Sequence, residues 1–468
     1  MAHAEGAVEP VYGEKVLTVE PYTIEHIPAA ERHGRPFNLF PLWLGANLTI
    51  ADYAIGFLPI SLGLPIGPTI IALVIGNVIG GAMLAVASSM GPRTGYPQMI
   101  AGRWPFGHAG EYFPAALNWL STVGWFTVNN ILGSFGLQVL FPGLPFPVAA
   151  IILVIIQVLL TIFGHNLIHV YERIMSVLLG ILFIIATIIA LSHWGTITST
   201  HLSAGNSTLA YFAIVLAAAF SYIVSWGPYA SDYSRYLPDT SSLSMSFWWT
   251  FLGSAIASLW LEILGVFVAI LAPKNLDSIA ALHTVMGGFG GAAVVAIILG
   301  ATAADALNLY SNSLSARALD IRVPRPALTV AAAIVGLGGS LWGSGNFSTF
   351  YSNFLLMLDY WVTPGLAVLF VSFFILNRGS LPSNRAPEGI RWNALISYLI
   401  GVVVSIPFMA PLPVTIGSLT ISYTGFLAKQ WGGADFSYFV GFVVAGVVYW
   451  AWASRRQMEV QQPAPAPS

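Results

Sequence analysis

Ser225-Trp226-Gly227-Pro228-Tyr229-Ala230-Ser231-Asp232-Tyr233-Ser234-Arg235 follows directly on an apolar run from Leu209 to Val224. Glycine, proline and serine end the run, and a charged pair comes after them. Inside a lipid bilayer, non-helical backbone is tolerated only where it lines a cavity or is buried in protein. A hydrophobic segment interrupted by Gly and Pro is therefore a pointer to a binding site near the midplane.

The rest of the chain supplies the membrane context. Its 468 residues are 56% hydrophobic and 8% charged, with a mean hydropathy of +0.78, whereas a soluble protein carries about a quarter charged residues. The net charge of −2 points to no charged partner, and no nucleic acid is expected. With no cysteine there are no disulfides, thiol chemistry or cysteine metal sites. The first 36 residues carry Glu5, Glu9, Glu14, Lys15 and Glu20 and no apolar core of a signal peptide, so they read as a cytoplasmic tail.

Apolar runs of spanning length start near Phe37, Ile66, Tyr112, Val148, Ile168, Leu209, Phe247, Gly290, Ala327, Phe350, Asn393 and Ser437. With the N-terminus inside, fifteen basic residues fall on the cytoplasmic side and only Lys274 and Lys429 fall outside. That asymmetry holds only for an even number of spans, which makes both termini cytoplasmic. Gly76, Gly80 and Gly81 in the second span read as a close helix–helix contact. The first span contains Gly45-Ala46-Asn47-Leu48-Thr49-Ile50-Ala51-Asp52, a second interruption five spans before the Ser225–Asp232 run. Two five-helix halves in inverted repeat give that spacing.

The Ser225–Arg235 run resembles a motif of the purine–cytosine permease branch of the nucleobase–cation symporter-1 family. So do Gly91-Pro92-Arg93-Thr94-Gly95-Tyr96-Pro97-Gln98, His169-Val170-Tyr171-Glu172-Arg173, Trp260-Leu261-Glu262-Ile263-Leu264-Gly265, and Asn353-Phe354-Leu355 with Tyr360-Trp361. The likeness covers about Asn38 to Trp361. It implies an all-α integral membrane protein of about 12 transmembrane helices, a LeuT-like 5+5 inverted repeat with broken helices 1 and 6 and two peripheral helices. The corresponding domains are a tail (1–36), the transporter (37–456, with repeats 37–192 and 209–376 and peripheral helices 393–456) and a Pro-rich cytoplasmic tail (457–468). The implied function is cation-coupled import of a nucleobase, such as cytosine or a purine, by alternating access, with the protein working as a monomer in the cell membrane. The alternatives are a transporter of the same fold for allantoin, a hydantoin, a vitamin precursor or an amino acid. A membrane enzyme finds no support: the nine histidines form no HExxH or other metal spacing, so no metal or other cofactor is expected. A channel would show repeated pore loops or charged rings, and neither is visible.

A planar heterocycle needs an aromatic platform and polar groups that read its edge. Trp125 and Asn129 lie four residues apart on one helix face, and the family resemblance makes them ligand contacts; the alternative for Trp125 is ordinary packing. Asn130 faces elsewhere and suits a helix–helix hydrogen bond. Asp305, in the eighth span, is costly in lipid and must face the interior. It either accepts a hydrogen bond from the substrate or carries a proton. The resemblance places Asn308 against the ligand edge. Asp52 joins the site if the first span breaks at Thr49–Asp52, and otherwise lies in an outer vestibule. Phe220, Ser221, Tyr222 and Ser225 flank the second break. The family's second stacking position falls at Tyr222–Ile223, and because Ile223 holds the strictest register, Tyr222 or Phe220 must substitute. Asp232 and Arg235 read as an ion pair or cap. Glu262 is a proton relay or a buried structural carboxylate, and Asp359 a gate residue or a structural one.

Sodium-coupled relatives carry two consecutive hydroxyl residues on the eighth span, where this chain has Thr302-Ala303. With Asp52, Glu262 and Asp305 available to titrate, the reading leans to a proton as coupling ion, with sodium near Thr302 as the alternative. The charge count also predicts topology. Reporter tags after Arg456 and within His3–Lys15 should both report cytoplasm, and tags beside Lys274 or Lys429 the exterior. Termini on opposite sides would require an odd number of spans and remove the inverted repeat.

Overall fold

The computed structural model describes residues 11–382, 385–410, 412–416 and 419–461. The first apolar run is two helices, α1 (Leu39–Asn47) and α2 (Ile50–Ile55), the second continued by Phe57–Ser61. Helical geometry stops at Leu48, where ψ is 60°. Thr49, in extended backbone, restarts it by accepting the Asp52 N–H on its hydroxyl at 3.4 Å, the usual role of an N-cap threonine. The break thus falls at Leu48–Thr49, just ahead of Asp52.

Then follow α3 (Ile66–Thr94), α4 (Tyr112–Leu140), α5 (Phe146–Ile162), α6 (His165–Leu191) and α7 (Thr208–Val224). After α7 the chain continues as a 3₁₀ turn, Gly227–Tyr233, kinked at Tyr229 (φ −139°, ψ 18°). The interruption expected from Gly227 and Pro228 is there. The longer helices that remain are α8 (Leu243–Leu271), α9 (Ser278–Met286), α10 (Gly290–Ala318), α11 (Arg325–Gly343), α12 (Phe347–Phe370), α13 (Trp392–Ser405) and α14 (Ser437–Gln461). A helix begins within four residues of each expected start. Among the described residues, seven helical stretches, from Ile66–Thr94 to Ser437–Arg455, are long and apolar enough to cross a membrane. The chain is a multi-pass membrane protein.

One element departs from the all-α expectation. β1 (Leu412–Ile416) and β2 (Leu419–Tyr423) pair antiparallel, Leu412 opposite Tyr423 and Ile416 opposite Leu419. The segment is too short to span, and Val414, Thr415, Thr420 and Ile421 are β-branched residues that favour strand.

Small residues set the helix contacts, as expected for the second span. A Cβ on Gly76 would sit 2.7 Å from the Leu216 carbonyl oxygen, and one on Gly80 2.9 Å from that of Phe220. α3 therefore lies backbone to backbone on α7. A Cβ on Gly300 of α10 would collide with the Leu48 carbonyl oxygen at the break of the first span.

The basic residues gather at one end. Arg32 donates to the Pro92 carbonyl (2.6 Å), Arg103 to that of Ala318 (2.9 Å), Arg325 to that of Ile162 (2.9 Å) and Arg391 to that of Trp104 (2.9 Å). At the same end Asp320, between α10 and α11, accepts from Arg103 (3.1 Å), His108 (2.7 Å) and Tyr112. Burial alone would raise its carboxyl, but the His108 and Tyr112 hydrogen bonds and the Arg103 charge outweigh that and hold it down at about 2.

The N-terminal segment is part of this end rather than a loose tail. Glu31 accepts the backbone N–H groups of Val11, Tyr12 and Gly13. Glu20 accepts from Arg235 (2.8 Å), Tyr236 (2.7 Å), Tyr310 (3.0 Å) and the His165 backbone N–H (3.2 Å). This corrects the pairing expected within the sixth span: Arg235 bonds Glu20, both side chains fully buried, while Asp232 accepts the Gln98 N–H at 2.9 Å. The side chain of Asp359 lies outside the described residues.

Removing one partner of a buried ion pair leaves an uncompensated charge, at a cost of about 3–5 kcal/mol. Glu20→Ala should therefore lower the thermal unfolding midpoint of the detergent-purified protein markedly, and Glu20→Ala with Arg235→Met should recover part of the loss. A midpoint unchanged in Glu20→Ala would show that the segment contributes nothing to the folded state.

Candidate substrate site

Midway along α4, Trp125 lies where the two breaks face each other. Its indole sits edge-on to Tyr222 of α7 (5.3 Å between centroids), Tyr351 (6.3 Å) and Phe354 (5.1 Å) of α12. Tyr222 shares a 2.8 Å hydrogen bond with Thr49, and Tyr351 donates to the Ala51 carbonyl at 2.8 Å. The aromatic group is thus tied to α2 on two sides.

One turn further along α4, Asn129 donates to Asp305 of α10 (3.2 Å). Asp305 also accepts from Asn308 (3.4 Å) and from Gln157 of α5 (2.9 Å). A carboxylate out of water is held here by three amides. Asn308 accepts from Tyr229, at the kink of the 3₁₀ turn (3.2 Å). Trp125, Asn129, Asp305, Asn308 and Tyr222 are all at most 4% exposed, so the cluster is closed to solvent. Among the described residues, three of its polar atoms have no partner: Trp125 Nε1, Asn129 Oδ1 and Gln157 Oε1. Buried polar groups normally find one.

Other expected residues stand apart. Phe220 is not at the cluster: it stacks on Tyr438 of α14 (4.6 Å, 29°), because successive residues of α7 face different neighbours. Ile223 meets Gly80 and Gly81 of α3, which leaves Tyr222 as the α7 ring beside Trp125. Ser221 donates to the Leu355 carbonyl at 2.6 Å. Thr302 donates to Ile298 of its own helix at 2.8 Å. Asp52 is buried and lies with Glu262 of α8 rather than among the amides. Asn130 makes the helix–helix bond expected of it, to Ser340 at 3.0 Å.

Gln157, Tyr229, Tyr351 and Phe354 were not foreseen as part of the cluster. Gln157 had a signal, being the only polar residue between Ile151 and Leu160. Tyr229 lies in the interrupted Ser225–Arg235 stretch, whereas Tyr351 and Phe354 stand on α12, where rings at Phe347, Phe350, Tyr351, Phe354, Tyr360 and Trp361 gave no way to single them out.

Residues 26–441 match the family described as "Permease for cytosine/purines, uracil, thiamine, allantoin". YxlA of Bacillus subtilis is 30% identical over 93% of this chain and 96% of its own length. The purine-cytosine permease fcyB of Emericella nidulans is 28% identical over 92% of this chain and 88% of its own. Among solved structures, Mhp1, a nucleobase-cation-symport-1 family transporter in a closed conformation with bromovinylhydantoin bound, superposes with a TM-score of 0.75. It is 20% identical, over 94% of this chain and 96% of that one. That likeness establishes the shared fold.

Asp305→Ala would strip the acceptor from three buried amides, at about 1–3 kcal/mol for each left unsatisfied. It should lower the unfolding midpoint well beyond Ser221→Ala, which removes a single donor. Equal losses would mean that the amides find other acceptors and that Asp305 does not organise the cluster.

Proposed function

The chain belongs to the family of permeases for cytosine/purines, uracil, thiamine and allantoin, and from that premise we propose that it imports a nucleobase such as cytosine or a purine together with a proton. It is a membrane transporter and not an enzyme. The observation that supports the substrate reading is Trp125 beside the Asn129–Asp305–Asn308–Gln157 cluster. A purine or pyrimidine presents a flat face and an edge of alternating donors and acceptors. The indole suits the face, and the unpartnered Asn129 and Gln157 oxygens suit ring N–H or exocyclic amine donors on the edge. Asp305 orients both amides through their NH₂ groups, which leaves those oxygens as the acceptors. Tyr222 supplies the second ring that Ile223 cannot.

In this reading substrate enters between the two broken spans, whose non-helical backbone lets the outer and inner halves move separately. The basic end is cytoplasmic, both termini lie there, and one chain is the working unit in the cell membrane. Residues 37–192 and 209–376 are the two repeats. A proton is favoured over sodium because Thr302 is followed by Ala303 and already bonds within its own helix, whereas buried carboxyls are at hand.

Base–aromatic stacking contributes roughly 1–3 kcal/mol. Trp125→Ala should weaken binding of the best ligand by that amount, and Trp125→Phe should keep part of it. Thermal-shift titration with cytosine, adenine, uracil, allantoin, a hydantoin and pyridoxine would identify the ligand and then test both variants. Unchanged affinity in a well-folded Trp125→Ala protein would return the indole to a packing role. A response confined to the last three compounds would overturn the nucleobase assignment.

A further inference from the structure

Asp52 and Glu262 form a second polar site, separate from the amide cluster. Asp52 is in the first turn of α2 and Glu262 is in the middle of α8, and both are fully buried. The two acids meet where α2 crosses α8: a Cβ on Gly56, one turn after Asp52, would collide with the Glu262 carbonyl oxygen, while the nearby Ser258 hydroxyl donates to Asn47 Oδ1 at 3.4 Å. Asn77 of α3 donates its amide to Glu262 Oε2. Among the described residues, neither Asp52 oxygen, nor Glu262 Oε1, nor Asn77 Oδ1, has a donor.

Among the described residues, the surroundings hold no compensating cation. The titratable groups that face the pair are the hydroxyls of Tyr222 on α7 and Tyr351 on α12. On α10, Asp305 is turned into the amide cluster. On α6, Glu172 lies against Gly45 of α1, and Tyr53 of α2 donates to the Ser278 carbonyl at the start of α9. α1, α3 and α4 present to this region amides, hydroxyls and apolar groups, with no lysine, arginine or histidine.

Two adjoining carboxylates out of water and without a counterion cannot both stay ionised. A single proton resolves the conflict, since it makes one of them the donor that the other lacks. The geometry points to the Asp52–Glu262 pair as the site of the transported proton. The proton is taken from water on one side of the membrane, is held as a carboxylic acid bonded to a carboxylate, and is returned to water on the other. This inference rests on the cation-coupled reading above and names its residues.

The location explains how a proton would drive movement. α2 and α8 meet without intervening side chains: a Cβ on Gly56 would sit 2.6 Å from the Val266 backbone nitrogen, and one on Gly265 3.1 Å from the Gly56 Cα. Loading the pair joins the two helices across that contact, and unloading it sets two negative charges against each other. α2 also carries the Thr49 hydroxyl bonded to Tyr222 and the Ala51 carbonyl bonded to Tyr351, the two rings beside Trp125. Substrate and proton thus act on the same short helix from opposite sides.

Glu262→Gln supplies a permanent donor to Asp52 and imitates the proton-loaded pair; Asp52→Asn does the same in reverse and guards against a folding defect in the first. Purified full-length proteins in liposomes would be assayed with radiolabelled cytosine for counterflow exchange and for accumulation driven by a gradient of one pH unit. Cytosine-induced proton uptake would be followed in weak buffer with a pH dye. For one proton per cytosine, wild type should accumulate up to about tenfold and take up protons on binding. Both variants should stop at equal concentrations on the two sides, take up no protons, and still show measurable exchange. Accumulation or proton uptake persisting in Glu262→Gln and Asp52→Asn would overturn the proton site. Wild-type accumulation that follows sodium and ignores pH would overturn it as well. Failure of wild type to bind or exchange cytosine would instead count against the substrate reading, and the proton assay would then be repeated with the ligand found by thermal shift.

Discussion

Two helices lose their hydrogen bonding inside an apolar assembly, and the backbone they free has to be covered by protein. At Leu48 the cover is Gly300, whose missing side chain lets α10 lie on the exposed carbonyl. At the other break Gly227 and Pro228 lead into a 3₁₀ turn with every residue from Gly227 to Tyr233 buried. Thr49 and Tyr222 join the two interrupted spans by one hydrogen bond. The placement of Trp125, Asn129 and Asp305 follows from this: α4 and α10 pass the breaks, and these polar residues face the region where helix is absent on two sides.

Buried acids must also be accommodated, and three of the sites show different ways of doing it. Glu20 has a guanidinium and two phenols, and it locks the N-terminal segment onto the basic end. Asp305 has three amides, which neutralise no charge but supply donors in a fixed array. Asp52 and Glu262 have chiefly each other. The first arrangement stabilises a closed end, the second holds side chains in orientation, and the third is the one that the proposed transported proton would satisfy. Outside the membrane-spanning region, Asp320 shows the ordinary alternative, a carboxyl kept ionised by His108, Tyr112 and Arg103.

Much of this was legible before any coordinates. Apolar run length located the helices, because a bilayer demands about 20 apolar residues per crossing, and Gly227–Pro228 located the second break. The i, i+4 spacing put Trp125 and Asn129 on one face. The misreadings share a cause. Phe220 was read with Tyr222 because both are rings near the break, yet the two-residue step between them turns the helix about 200° and sends Phe220 to Tyr438. Arg235 was paired with Asp232 because they are neighbours in sequence, whereas its partner lies 215 residues away. The hairpin Leu412–Tyr423 lies between the last two expected spans, in a stretch to which no structure was assigned.

Local chemistry was thus determined by the sequence alone: which segments are apolar enough to be helices in lipid, where they must break, and which side chains are too polar to face the bilayer. Partnership was decided only by the tertiary structure. Whether a buried carboxyl meets an arginine, three amides or another carboxyl depends on which helices lie side by side and how each is rotated. Those quantities are set by glycine contacts such as Gly56 on α8 and Gly300 on the Leu48 carbonyl. Such contacts form between residues far apart in the chain, and no local pattern of apolar and polar residues encodes them.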